Sequence, residues 1–167
     1  MQFNNSTYKR LNVLLILLLV LAITSCERDD ICIDEITPNF VLRFYDIENI
    51  DDTKNVNQLS VQVLGVDNDS LVFTGLDSIA IPLKVTENTT QYILTIMSDN
   101  VTNSNRDTLT LNYTQESIFV GRSCGYKSVF NNVTYQLTTD SDNWIEDLEI
   151  VNNSITNETA AHVKIFH

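Results

Sequence analysis

The clearest signal in this sequence is a strict alternation of apolar and polar side chains from Asp107 to Thr114. Leu109, Leu111 and Tyr113 fall on one side of an extended chain, and threonine and asparagine fall on the other. Successive side chains of a β-strand point to opposite faces, so a period of two indicates a strand with one buried face. This segment therefore predicts a strand with its two leucines and tyrosine turned toward a core.

The same period recurs along the chain after Pro38, in short runs separated by polar turns. Gln91–Ser98 is apolar on both faces, as is typical of a central strand. The runs predict an all-β fold, an immunoglobulin-like antiparallel β-sandwich of about nine or ten short strands. The other runs are Asn39–Asp46, Leu59–Val63, Leu71–Phe73, Ile79–Val85, Ile118–Val120, Val133–Leu137 and Val163–Phe166.

One segment, Asn143–Val151, is open to two interpretations. As a strand it places Trp144, Leu148 and Ile150 on one face. As a short helix it takes Asp142 as its N-cap. The β-branched residues near its end favour a strand.

The N-terminal region predicts export. Lys9 and Arg10 precede the apolar run Val13–Ile23, which is short for a membrane span but suits a signal peptide. The residues Ile23 to Cys26 resemble a bacterial lipobox, whose cysteine carries fatty acids such as palmitate. We therefore expect a signal peptide at 1–25, a lipidated tether at 26–37 and a single β-sandwich domain at 38–167. The alternative is an ordinary secretory signal, which would leave Cys26 as an odd cysteine.

The tether begins with the charged run Glu27–Asp30. An acidic cluster after the lipidated cysteine resembles a surface-export signal of Bacteroidota, although Arg28 interrupts it here. A solvated linker explains it equally well. The expected location is the outer membrane, on its periplasmic face or at the cell surface.

Cys32 and Cys124 are the cysteines that remain after lipidation of Cys26. Cysteines in an oxidising compartment usually pair, so we expect a Cys32–Cys124 disulfide. The chain-entropy model gives a loop of this size about 4–5 kcal/mol of stabilisation. Free structural thiols and an intermolecular bond are the alternatives.

Charge excludes one class of partner. The chain after residue 25 holds 8 of the 10 basic residues and all 22 acidic residues, for a formal charge of −14. Such a surface repels nucleic acid and anionic lipid head groups. We therefore expect no nucleic-acid partner.

Carboxylates and histidines suggest no strong catalytic or metal site. Asp147 and Glu149 lie two apart on one strand face, whereas a glycosidase needs two carboxyls facing each other across a bond. The oxygen-rich loops at 67–70 and 140–143 lack the glycine and distant glutamate of an EF-hand, and turn chemistry explains them.

His162 and His167 have no neighbouring cysteine in the sequence. Neither a Gly-x-Ser-x-Gly motif nor a glycine-rich phosphate loop occurs. We expect no catalytic residues, no metal site and no cofactor.

A basic and aromatic spot surrounds Cys124 and consists of Arg122, Tyr126 and Lys127. It is the tentative binding site of the domain, for an anionic group or a sugar ring. The competing interpretation is a disulfide-anchored turn whose basic residues pair with the domain's own acids.

Several segments in order carry a resemblance across essentially the whole mature chain: Cys26–Cys32 (CERDDIC), Val41–Asp46 (VLRFYD), Asp107–Thr114 (DTLTLNYT), Ile118–Lys127 (IFVGRSCGYK), Asp142–Val151 (DNWIEDLEIV) and His162–Phe166 (HVKIF). Together they resemble a family of small lipoproteins of unknown function from Bacteroidota, flavobacteria especially. The resemblance implies an envelope location and a β-rich fold, and no activity.

These observations favour a lipid-anchored protein of the cell envelope that is not an enzyme and acts through binding or assembly at the outer membrane. Its expected partners are the membrane, through the anchor on Cys26, and an envelope protein or a glycan. The alternative is a surface glycan- or ligand-binding module, and the third hypothesis is a secreted-type hydrolase.

Overall fold

A computed structural model describes residues 5–23, 31–33, 36–66, 69–100, 102–138 and 141–167. The chain divides into two compact units, Met1–Cys32 and Ile33–His167. The first unit contains α1, Asn5–Ile23, which lies within the predicted signal peptide at 1–25. The described part of the chain contains no helix that is both long and apolar enough to cross a bilayer.

The second unit is the predicted all-β sandwich. Its strands are β1 (Phe40–Tyr45), β2 (Leu59–Val63), β3 (Ser70–Phe73), β4 (Ser78–Ile81), β5 (Thr89–Ile96), β6 (Asn105–Gly121), β7 (Gly125–Thr138), β8 (Asp147–Ile150) and β9 (Val163–Phe166). One sheet has the order β4-β1-β9-β8 and the other has the order β3-β2-β5-β6-β7. The described residues thus confirm the predicted fold and approximate strand number.

Most strand pairs are antiparallel, as predicted, but β1 and β9 pair in parallel, with Leu42 opposite Val163 and Tyr45 opposite Phe166. A parallel pair needs a crossover rather than a hairpin, and here the chain between the two strands builds the whole second sheet. Single-strand periodicity carries no information on this order.

The core lies between the inner faces of the two sheets, where the alternation predicted it. Phe40, Leu42 and Phe44 of β1 are fully buried, and they belong to one apolar cluster with Leu109 and Leu111 of β6. The central strand predicted at Gln91–Ser98 is β5, which lies in the middle of the five-stranded sheet. Burial of these side chains is the main source of stability.

Three predicted boundaries shift. The strand expected to reach Val85 ends at Ile81, because Pro82 has no backbone N–H to donate. Strand β6 begins at Asn105, two residues before the alternation that starts at Asp107. The separate runs at Asp107–Thr114 and Ile118–Val120 belong to one strand, β6, that continues through both.

The strand expected at Asn143–Val151 is reduced to β8, and neither interpretation describes its first half. Trp144 and Ile145 are buried before the strand begins. The Trp144 Nε1–H donates to the Leu94 carbonyl at 3.1 Å, and the Ile145 N–H donates to Asp107 Oδ2 at 2.8 Å. These contacts join the segment to the opposite sheet, and the Ile145 backbone N–H is not available for a ladder.

Candidate functional site

The long hairpin formed by β6 and β7 extends past the rest of its sheet. Strand β5 covers β6 only as far as the Thr89–Asn112 pair. The register between β6 and β7 shifts after Asn112, and Asn132 adopts φ 54° at that point. Farther along, β6 has only β7 as a described strand neighbour. We call residues 116–128 the hairpin arm.

Every residue of the arm is described, and none of them is buried. Phe119 is 56% exposed and Tyr126 is 70% exposed. The base of the arm differs sharply, since Val129 and Phe130 are 2% and 0% exposed. Large apolar side chains gathered at one exposed tip are typical of an interaction surface.

Register explains how the arm groups its side chains. Phe119 lies opposite Tyr126, with ring centroids 5.2 Å apart in a T-shaped arrangement. Ile118 lies opposite Lys127. Because neighbouring residues of a strand point to opposite faces, Tyr126 and Lys127 lie on different faces of the arm. Each face thus combines an exposed apolar group with a polar or charged one.

The structure therefore does not bring the three residues of the predicted binding site together on one surface. Arg122 lies exposed in the turn, Tyr126 pairs with Phe119 on one face, and Lys127 pairs with Ile118 on the other. Sequence reasoning missed Phe119 and Ile118. The signal was present, since the apolar and aromatic residues are arranged symmetrically about the turn between Gly121 and Gly125, whose φ is 70°.

Cys124 lies in the turn of the arm. Cys32 and Cys124 are both disulfide-bonded, which fits the bridge predicted from the sequence. Ile31 and Ile33, the sequence neighbours of Cys32, are 80% and 91% exposed. Cys26, the predicted lipidation site, lies outside the described residues.

The segment before β1 runs along the base of the arm. Thr37 Oγ1 accepts a hydrogen bond of 2.9 Å from the Ser128 backbone N–H. Ile36 beside it is 77% exposed. This contact closes part of the outer edge of β7, and the Phe130–Ile155 bridge closes the next part. The outer edge of β7 is therefore hydrogen-bonded at the base of the arm.

Charge also distinguishes the arm from the rest of the protein. It contains Arg122, Lys127 and one acid, Glu116, whereas the whole chain has a formal charge of −12. In the rest of the sandwich acids outnumber bases, and bases such as Arg43 and Lys164 pair with acids, in Arg43–Asp77 at 3.7 Å and Lys164–Glu149 at 3.3 Å. The arm is therefore a locally basic, apolar tip on an acidic protein.

The carboxylates Asp147 and Glu149 lie on the exposed face of β8. Glu149 pairs with Lys164, and Asp147 Oδ1 accepts from the Leu148 N–H at 2.8 Å. They point the same way from one strand, as the sequence predicted, so they do not face each other across a cleft.

The two histidines lie in separate surroundings. His162 is 2% exposed, and its Nδ1 accepts from the Val41 N–H at 2.9 Å. Burial lowers the pKa of His162, while a hydrogen bond with the Asn157 backbone and the charge of Glu158 oppose the shift. Burial also lowers the pKa of His167, with a further contribution from the charge of Lys54. Neutral imidazoles in these positions support packing around Phe40 and Phe44.

Two cavities of the sandwich have polar side chains in their lining, and His167 lines the smaller one. One, of about 360 Å³, is lined by Ile36, Pro38 and Asn157–Thr159, and its Glu158 carboxylate already accepts from the Asn39 backbone at 2.7 Å. The other, of about 200 Å³, contains His167, whose Nε2 has no hydrogen-bond partner among the described residues.

Within the described residues, no three histidine, cysteine or carboxylate side chains are close enough to share a metal ion. In the two oxygen-rich loops, Asp67, Asn68 and Asp140 lie outside the residues that the structure describes.

The outer face of the five-stranded sheet has a different chemistry. Its strand register aligns hydroxyl and amide side chains across neighbouring strands, with Thr89 Oγ1 donating to Asn112 Oδ1 at 2.9 Å and Gln91 Nε2 donating to Thr110 Oγ1 at 3.0 Å. Among the described strand residues of this face, outside the arm, Arg106 alone is charged. The aligned polar residues are Ser60, Gln62, Ser70, Thr89, Gln91, Thr95, Thr108, Thr110, Asn112, Thr134, Gln136 and Thr138.

Comparison with known proteins gives one match. A family model described as a family of unknown function (DUF6452) matches residues 60–167, which include most of the sandwich and the whole hairpin arm. Neither the curated proteins nor the solved structures give a match to the chain.

Proposed function

The chain belongs to DUF6452, a family of unknown function, and from that premise we propose that it is a lipid-anchored protein of the cell envelope. In this proposal Cys26 is acylated, the anchor holds the sandwich at the outer membrane, and the protein works by binding rather than by catalysis. The resemblance to small lipoproteins of Bacteroidota supports the same placement.

The observation that carries the proposal is the disulfide-bonded state of Cys32 and Cys124. Disulfides persist in oxidising compartments and are rare in the cytosol. A lipobox-like segment lies just before the first of these cysteines. The oxidising compartment and the lipid anchor therefore agree.

The hairpin arm is the contact surface in this proposal. Its exposed Phe119 and Tyr126 have no role in the core, whereas the residues at its base pack into the core. Exposed aromatic side chains cost solubility unless something covers them, so their concentration on one tip favours a binding role.

Metabolic labelling with an alkyne analogue of palmitate tests the anchor. The parent chain should take up label, and the Cys26→Ser variant should take up none. The Cys32→Ser variant is the matched control, because it also removes one cysteine of this region but leaves the lipidation site intact. Label on Cys26→Ser, or none on the parent chain, would overturn the proposal.

Protease treatment of intact cells then separates the two faces of the outer membrane. Loss of the domain in intact cells would indicate the cell surface and turn the search toward glycans and surface complexes. Protection until lysis would indicate the periplasmic face and an envelope-assembly partner.

A second candidate function, binding of a neutral glycan, has its own observation. The outer face of the five-stranded sheet carries mainly hydroxyl and amide groups, with the apolar Val72 and Ile93 among them and a single charged residue, Arg106, among its described strand positions outside the arm. Such groups hydrogen-bond sugar hydroxyls without the cost of desolvating a charge.

Affinity electrophoresis in gels containing a neutral polysaccharide such as dextran tests this candidate. Retardation should disappear in Thr110→Glu, which places a charge in the middle of the face, and should persist in Ala80→Glu on the other sheet. Equal mobility with and without polysaccharide for the parent chain would eliminate dextran as a ligand of this face.

A further inference from the structure

We infer that the hairpin arm is a second membrane contact, in which Phe119, Tyr126 and Ile118 enter the head-group layer of the bilayer that holds the anchor. The inference rests on the proposed acylation of Cys26 and names the partner of the arm as the lipid surface itself. It would make the protein a two-point attachment, with a covalent lipid at one point and an amphipathic β-hairpin at the other.

The tether between the proposed anchor at Cys26 and Cys32 is short. Six peptide units separate Cys26 from Cys32, and fully extended they span at most about 20 Å. If Cys32 is bonded to Cys124, the turn of the arm lies within that distance of the acylated residue. Without the bond, the first attachment of the described stem to the sandwich is at Thr37. That stem would reach about 40 Å when extended. The disulfide therefore reduces by about half the maximum distance between Cys26 and the first attachment point of the stem.

A short tether also lowers the affinity that the second contact needs. Once the anchor is in the bilayer, contact by the arm is an intramolecular event at an effective concentration on the order of millimolar. A contact too weak to recruit a free protein would then still be occupied. A few exposed side chains are sufficient under these conditions.

The side chains of the arm match the chemistry of the interface. Tyrosine places an apolar ring and a polar hydroxyl at the boundary between hydrocarbon and water, and Tyr126 is the most exposed aromatic residue of the arm. Arg122, exposed in the turn, offers charge to lipid phosphates while its stem stays apolar.

Distribution of the exposed groups favours a bilayer over a folded protein partner. Phe119 and Tyr126 lie on one face of the arm, and Ile118 lies on the other. A folded partner would cover one face and leave the other in water, whereas a hairpin inserted into lipid is covered on all sides. Charge agrees, because the arm is locally basic while the chain as a whole is acidic and is repelled by anionic head groups.

Tryptophan fluorescence measures the contact directly. The acylated Phe119→Trp chain is reconstituted in zwitterionic vesicles of phosphatidylcholine and phosphatidylethanolamine, with or without brominated acyl chains as quenchers. We expect a blue shift and marked quenching of the introduced tryptophan. The matched control is Val72→Trp on β3, at the far edge of the same sheet, because Val72 is 59% exposed and Phe119 is 56% exposed. The native Trp144 is buried and supplies the background in both variants.

Two outcomes separate this inference from the proposed function. If intact mass shows no acyl chains and the protein does not float with vesicles, the proposed anchor fails. If the protein is acylated and floats, but the tryptophan introduced at position 119 is no more quenched than the one introduced at position 72, the anchor stands and the membrane contact of the arm is overturned. If quenching at position 119 falls when the disulfide is reduced, the result would support the short tether as the cause of the contact.

Discussion

The two halves of the β6–β7 hairpin share strands, turn and alternation, yet they differ in what covers them. In the inner half, Leu109 and Leu111 of β6 are fully buried beneath the opposite sheet. In the arm, no side chain is buried, although Ile118, Phe119 and Tyr126 carry large apolar groups. The inner half is held by packing, whereas the turn of the arm contains a disulfide-bonded cysteine, Cys124. The comparison teaches that one continuous ladder can serve stability at one end and contact at the other.

The disulfide gives the largest expected effect. Replacing both Cys32 and Cys124 by serine should lower the free energy of unfolding by up to about 4–5 kcal/mol, because the unfolded chain gains the entropy of an open loop. Urea denaturation of the parent chain and the double variant measures the loss. Cys26→Ser is the control and should leave the midpoint unchanged. A loss below about 1 kcal/mol, well under the chain-entropy value, would show that the arm contributes little to stability even through its cross-link.

Matched truncations of the two halves come next. Leu111→Ala should cost about 2–5 kcal/mol, since it leaves a cavity in a closed core. Phe119→Ala removes a larger side chain but should change stability by no more than about 0.5 kcal/mol, because that ring is mostly in water. Denaturation midpoints measured under identical conditions compare the two. Similar costs would mean that the arm packs against something in solution, and the contrast between the halves would be lost.

The start of the inner half depends on one buried carboxylate. Asp107 is 1% exposed and accepts from the Ile145 N–H and from Asn143 Nδ2 at 2.8 and 3.0 Å. Asp107→Asn replaces one acceptor oxygen by a donor, which should cost about 1–3 kcal/mol. Asp147→Asn on exposed β8 should be nearly neutral. Loss of Trp144 near-ultraviolet dichroism in the first variant would locate the damage at that end of the hairpin; an unchanged spectrum and midpoint would contradict the assignment.

Acidification should weaken the sandwich and leave the arm unaffected, with the smallest effect of the four. Burial lowers the pKa of His162 and His167 below the ordinary 6.5, so the unfolded chain takes up protons first. Stability is then fully present above pH 6.5 and decreases as the pH falls below that value. Denaturation at pH values on either side of this point measures the slope, and His162→Gln should reduce it. Hydrogen exchange of the arm amides, corrected for its intrinsic pH dependence, should stay constant, and acid-induced opening of the arm before the sandwich would contradict the comparison.

Sequence reasoning could predict what is local and repeated. Alternation identified Leu109, Leu111 and Tyr113 as core residues, and it identified the central strand, because pleated geometry converts spacing directly into sidedness. The same rule could not tell Leu111 from Ile118, since both occur in alternating runs and only the opposite sheet determines which is covered.

Long-range partners explain the remaining differences. The segment before β8 departs from a strand because Asp107 and Leu94, distant in sequence, accept its hydrogen bonds. Sequence reasoning predicted only part of the candidate site, because that site also depends on residues that are brought together by folding. Arg122, Tyr126 and Lys127 were visible as neighbours in sequence, whereas the pairing of Tyr126 with Phe119 depends on a turn register that becomes evident only when the chain is folded about Gly121 and Gly125.

The parallel pairing of β1 with β9 has a consequence for how the protein is made. Strand β9 lies between β1 and β8 in its sheet, yet it follows every other described strand along the chain. A chain that emerges in order from a ribosome or a secretion channel therefore holds two unpaired strand edges until the residues around Val163 arrive. Contacts this distant in sequence slow folding, and open edges invite aggregation. The strand order thus leaves these edges open to aggregation until the last described strand is made.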